Sequence, residues 1–92
     1  MKKPQLEAIE RIKQMEQYYD LLWETLKNTP EAFETDDNIK TAFDRLIHYY
    51  TGGQWLRDYQ LDERGQLPTE LKRGVLSQDG VYNLLQELMK QE

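Results

Sequence analysis

Apolar residues recur every three or four positions through the first third of the chain, at Leu6, Ile9, Ile12, Met15, Tyr19, Leu22 and Leu26. A 3.6-residue period stacks such positions in one stripe, so the spacing predicts an amphipathic helix over about residues 4–28. Pro4 suits its first turn, where an N–H would have no partner to lose. Glu7 and Arg11 are spaced as an i, i+4 ion pair on the outer face, while Tyr18 and Trp23 flank the stripe and widen it. "NTPEAFETDDN" then breaks the pattern: Asn28 can end the helix, Thr29 and Pro30 suit a cap and a first-turn proline, and Phe33 fits a short helical turn. Asp36 and Asp37 favour a new helix start. The set Ile39, Ala42, Phe43, Leu46, Ile47 and Tyr50 predicts a second helix over about 35–52, ended by Gly52 and Gly53, since glycine enters the left-handed cap conformation without a side-chain penalty.

Beyond the glycines, Trp55, Leu56, Tyr59 and Leu61 predict a short helix over about 55–64, with Gly65 as its stop. In "QLPTELKRG", Thr69 after Pro68 allows a single helical turn through Leu71, closed by Gly74. Ser77 is placed as the N-cap of a last helix over about 78–91, with Asp79 in the first turn and Val81, Leu84, Leu85 and Leu88 facing inward. Strand signals are missing throughout. The expected architecture is therefore one all-α domain over residues 1–92: a small antiparallel three-helix bundle with a compact short-helix and loop elbow before the last helix.

Composition changes the picture in two ways. With 92 residues and no cysteine, the chain must be held by one packed core without disulfides or a thiolate zinc site, which suits a reducing cytoplasm. The opening "MKKPQLEAIERIKQ" is basic, but no apolar stretch follows as in a secretory signal, and no run approaches the roughly 20 apolar residues of a membrane span. The net charge is -5, and no segment hides a basic domain: residues 1–28 and 54–73 are each neutral, 29–53 carry -3 and 74–92 carry -2. Nucleic-acid binding, which needs clustered Lys and Arg on one face, is not expected. The acids are interleaved with twelve Lys and Arg, too dilute to mimic nucleic acid.

Four groups could carry chemistry. Asp58 and Asp62 share one face of the short helix and, with Glu63, could hold a divalent cation or supply an acid and a base. The calcium-loop pattern fails, because Glu63 stands where it requires glycine and Thr69 where it requires glutamate. Arg57, Arg64, Lys72 and Arg73 lie close in sequence as neutralising partners, so Arg57, Asp58, Asp62, Glu63, Lys72 and Arg73 are expected to form a structural charge network at the elbow. "LKRG" precedes a helix start that could meet an anion, but Ser77 can use those N–H groups itself. His48 has only Asp44 at ligand spacing, which suits an edge pair more than a metal site. No catalytic residue, metal or cofactor is expected from this inventory. The fourth group is ten large rings, among them Tyr18, Trp23, Tyr49 and Tyr50. They exceed what so small a core can enclose, and Tyr and Trp dominate contact hot spots.

The elbow also carries a resemblance. Tyr49, Tyr50, Trp55, Asp58, Tyr59, Asp62, Glu63, Gly65, Leu67, Pro68 and the run "LKRGVLSQDGVYNLL" resemble a family of small bacterial proteins of unknown function with the signature W-x-x-DY-x-x-DE-x-G-x-LP-x-x-LKRGVLS-x-D. The resemblance covers the C-terminal half and, more weakly, the first helix. It implies a small bacterial intracellular helical protein and carries no activity, substrate or catalytic residue. Gly80 departs from the alanine expected there, a change that should cost up to about 1 kcal/mol of helix stability. The functional expectation is a non-enzymatic cytoplasmic interaction module that binds a protein partner or itself through Tyr18, Trp23, Tyr49 and Tyr50, with neither nucleic acid nor membrane. The alternative is a small hydrolase, ligand-binding or metal-binding protein using Asp58, Asp62, Glu63, Lys72 and Arg73.

Overall fold

In the computed structural model, which describes residues 2–77 and 79–90, the long apolar stripe forms helix α1, Lys3–Asn28. At 1.5 Å per residue it is about 39 Å long, nearly the 42 Å longest dimension of the molecule. The other elements are laid along it: α2 (Ala32–Thr35), α3 (Asp37–Thr51), α4 (Gln54–Glu63), a 3-10 turn (Gly74–Leu76) and α5 (Gly80–Lys90). Local chemistry sets the joints. The Asp36 carboxylate accepts from Asn38 N at 2.9 Å and caps α3. Gly53, at φ 97°, turns the chain between α3 and α4. Gly65, at φ 69°, ends α4 while Gln66 N reaches back to Leu61 O, an arrangement that glycine allows because it has no Cβ to clash.

The all-α expectation stands, and the three-helix bundle does not. Among the described residues there are five α-helices and a 3-10 turn, and the packing is not that of three long rods sharing one seam. α1 packs on α3, α3 on α4, and α5 on both α1 and the 3-10 turn. Residues 66–73, where a helical turn through Leu71 was expected, form a bent loop whose Leu71 N–H donates to Pro68 O. The reason lies in the core. Ile12 and Leu22 of α1, Leu46 and Tyr49 of α3, Val75 and Leu76 of the 3-10 turn, and Val81 and Leu84 of α5 are each at most 2 % exposed. The elbow thus fills the centre of the molecule and replaces the long helix–helix contact that a bundle would make there. Helix α5 begins at Gly80, and the expected start and end at 78 and 91 fall outside the described residues. No described helix is long and apolar enough to cross a membrane.

Candidate functional site

The elbow charges were the foremost chemical candidates, and each has a definite partner or position. Asp58 projects from α4 into the interior and is 0 % exposed. Arg11 of α1 grips it in a fork, Nε donating to Oδ2 at 2.9 Å and Nη2 to Oδ1 at 2.6 Å. Tyr49 of α3 donates its hydroxyl to Oδ2 at 2.7 Å. One carboxylate therefore ties three helices together, and the charge-assisted, two-point geometry is the strong form of such a contact. The hydrogen bond to Asp58 raises the Arg11 pKa above its ordinary value against the opposing effect of burial. Burial, and then the bond to Asp58, raises the Tyr49 phenol well above its ordinary value.

Arg73 performs a second closure. Its guanidinium bonds Asp62 and the Pro68 carbonyl, and Nε donates to Leu71 O at 3.3 Å, which fastens the bent loop to α4. Lys72 instead meets Asp20 of α1 at 3.3 Å, an exposed pair of the kind that contributes little. Arg57 and Glu63 point to solvent, and neither takes part in a described ion pair. The six residues assigned to one local network are therefore spread over separate contacts, and Asp58 takes none of its partners from the elbow. Asp58, Asp62 and Glu63 do not converge: among the described residues no group of three His, Cys, Asp or Glu side chains could hold a metal ion.

Glu16, which the sequence pattern did not single out, completes the arrangement together with Trp55. Glu16 of α1 is buried and accepts from Val75 N at 2.8 Å, while Trp55 Nε1 of α4 donates to Val75 O at 2.8 Å. The backbone of Val75 is thus held from both sides, its N–H by α1 and its carbonyl by α4. Arg11 and Glu16 could have been suspected from position: Glu16 interrupts the spacing of Ile9, Ile12 and Tyr19, and Arg11 stacks with Met15, Tyr18 and Leu22. The i, i+4 pairing of Arg11 with Glu7 is superseded by Asp58. Similarly, His48 does not pair with the Asp44 carboxylate; its Nδ1 lies 2.9 Å from the Asp44 carbonyl oxygen.

The cap assigned to Ser77 is altered too. Its hydroxyl donates to Gly74 O at 3.0 Å and so braces the 3-10 turn, and Gln78, next to the expected cap, lies outside the described residues. Gly80 is no defect. A Cβ there would stand 2.8 Å from Gly74 O and 2.7 Å from the Tyr19 hydroxyl, so glycine is what lets α5 approach the turn.

The four rings assigned to partner contact separate. Tyr49 is 1 % exposed and cannot meet a partner from the surface. Tyr18 accepts from Arg45 Nη1 at 2.8 Å beneath the same guanidinium. Trp23 packs edge-on to Tyr19 at 6.5 Å. Tyr50 packs edge-on to Trp55 at 5.2 Å, and Trp55 stacks on Tyr59 at 5.1 Å. Tyr18, Trp23 and Tyr50 remain half-buried.

No curated protein and no solved structure matches the chain. A family model described as a domain of unknown function (DUF4298) matches residues 12–91, reaching well beyond the elbow motif into α1. The chain, with its Arg11-bound Asp58 and doubly held Val75 within or beside that span, belongs to the DUF4298 family.

Proposed function

We propose that the protein acts by associating with another protein or a second copy of itself, within the cytoplasm, and not by turning over a substrate. The observation that carries this reading is that the buried acids are already engaged inside an apolar core while several large apolar side chains remain at the surface. The buried acids Asp58 and Glu16 already hold Arg11, Tyr49 and Val75 in place. Meanwhile Leu6, Leu21, Leu56, Tyr82 and Met89 are 39–66 % exposed, alongside the half-buried Tyr18, Trp23 and Tyr50. Leu21 stands one turn on from Tyr18, and Leu56 follows Trp55 on α4. Single exposed apolar residues are ordinary, but neighbouring ones beside Tyr and Trp favour contact with a partner.

Sedimentation over a wide concentration range, together with affinity capture using wild-type protein and the Leu21→Lys, Trp23→Ala and Tyr50→Ala variants, tests this. Self-association or a captured protein lost in those variants is expected. A monomer at every concentration, with identical captures from wild type and all three variants, would remove the support for the reading.

A further inference from the structure

Helices α2, α3 and α5 line a cleft that neither the elbow nor the rings discussed above account for. It is open to solvent, with a volume of about 620 Å³, and its apolar walls are Phe33 of α2, Phe43 of α3 and Leu88 of α5. Each of these three is only partly covered by the core. Around them, among the described residues, stand the exposed carboxylates Glu31, Glu34 and Asp44, against one cation, Lys40. None of the three acids takes part in an ion pair among the described residues. The surplus is local as well as global, since residues 29–53 carry -3 of the chain's net -5.

We propose that this cleft docks a cationic amphipathic helix of a partner protein, whose apolar side chains enter between Phe33, Phe43 and Leu88 and whose lysines or arginines meet Glu31, Glu34 and Asp44. The charge of the rim selects the sign of the partner. The chemistry of the walls selects its conformation. An extended or polyproline segment brings bare backbone carbonyls that need donors, and among the described residues Lys40 is the only side-chain donor that lines the cleft. A helix satisfies its own backbone and asks of a groove only apolar contact and charge at the rim. The net negative charge also steers such a partner toward the surface, an effect that weakens with salt. This surface shares no residue with the rings proposed above and is tested separately.

The probe is a labelled synthetic peptide of about 18 residues, with leucine at i, i+3, i+4 and i+7 and lysine elsewhere, titrated by fluorescence anisotropy at low salt. It should bind about tenfold more tightly than a scramble of the same composition or a version with glutamate for lysine. Glu34→Lys should weaken it about tenfold and Lys40→Glu should tighten it. Glu10→Lys makes the same charge change on the outward side of α1 and should leave affinity as it is. All three sites are exposed, and circular dichroism checks that each variant keeps its helices. Backbone amide shifts on titration should centre on Phe33, Phe43 and Leu88. Equal binding of the scramble, equal weakening by Glu10→Lys, or shifts centred elsewhere would each overturn the proposal. So would a dimer whose formation Glu34→Lys abolishes, which gives the cleft to a second copy, or equal affinity for dodecyltrimethylammonium below its micelle threshold, which gives it to a small amphiphile.

Discussion

Replacing Asp58 with asparagine keeps shape and volume while removing the charge that three helices share. Both carboxylate oxygens face donors, Arg11 Nη2 on Oδ1 and Arg11 Nε with the Tyr49 hydroxyl on Oδ2. Whichever way the new amide turns, its NH2 therefore faces an Arg11 N–H, and only on the Oδ2 side can the Tyr49 hydroxyl turn to accept from it. The Arg11 guanidinium also loses its counter-charge. Breaking a fully buried pair costs about 3–5 kcal/mol, and because the Arg11 side chain is 25 % exposed it recovers some hydration, which places the expected loss near the lower end of that range. A domain of this size has roughly 5–14 kcal/mol in total, so a loss of about 3 kcal/mol should lower Tm by roughly 12–24 °C. Urea unfolding with linear extrapolation measures it directly. A companion set separates attraction from the cost of an orphaned charge: Arg11→Met, Asp58→Leu and Tyr49→Phe together should recover much of what Asp58→Asn loses, since apolar replacement of a whole buried set is often neutral or better. Stability of Asp58→Asn within about 1 kcal/mol of wild type, or an equal loss from the surface change Arg57→Gln, would refute the reasoning.

Three further outcomes follow from the same geometry. Burial and the bond to Asp58 hold the Tyr49 phenol above its ordinary value of 10.0, so above that pH the unfolded chain gives up a proton that the folded chain still keeps. Its contribution is intact below about pH 10 and falls by about 1.4 kcal/mol per pH unit above it. Urea midpoints taken across that range should therefore decline less steeply in Tyr49→Phe, and parallel profiles would contradict this. Gly80→Ala, which helix propensity alone would favour by up to about 1 kcal/mol, should instead lose about 1–3 kcal/mol by overpacking against Gly74 O and the Tyr19 hydroxyl; an unchanged or higher Tm would show that α5 can retreat freely. Arg73→Gln should cost about 1–2 kcal/mol through its bonds to the loop carbonyls and Asp62, and Lys72→Gln less than about 0.5 kcal/mol, an order that thermal melts of the two variants would reverse if the loop were not held by Arg73.

What could be read from sequence was mostly local. The stripe from Leu6 to Leu26, the Asp36 cap and the break at Gly52 and Gly53 each depend on neighbours within a turn or two, and the structure places α1, α3 and the joint between α3 and α4 accordingly. The elbow defied the same method because its partners lie far off. Asp58 has Arg57 beside it and Arg64 a turn and a half away, yet it binds Arg11, 47 positions distant. Val75 binds Glu16 across 59 positions. Charge neutrality of residues 54–73 suggested self-contained pairing, but a segment can be neutral in sum while its most buried member is neutralised from another helix. Gly80 shows the same limit for size: its lack of a side chain answers to Gly74 and Tyr19, not to the helix it begins. The rings misled for the opposite reason, since Tyr49 carries both a large apolar body and a polar tip, and the interior supplies an acceptor for the tip.

The long-range bonds also explain how α1 finds its place. A stripe of Ile, Leu and Met can slide along an apolar groove by one turn, about 5.4 Å, and remain apolar. Arg11 and Glu16 forbid that, because each must meet a different buried group: Arg11 the Asp58 carboxylate on α4 and Glu16 the Val75 N–H of the 3-10 turn. A slip of four residues one way would set Glu7 against Asp58, like charge against like, and Ile12 against an N–H that needs an acceptor. A slip the other way would offer Met15 to Asp58 and leave the buried carboxylate with the Tyr49 hydroxyl but no counter-charge. Two charges of opposite sign on the inner side of α1 thus select one register from several that packing alone would nearly tolerate, which is the role buried polar pairs fill best even where they add little net stability. With α1 fixed against both α4 and the turn, the bent loop and α5 follow through Arg73 and the close approach at Gly80.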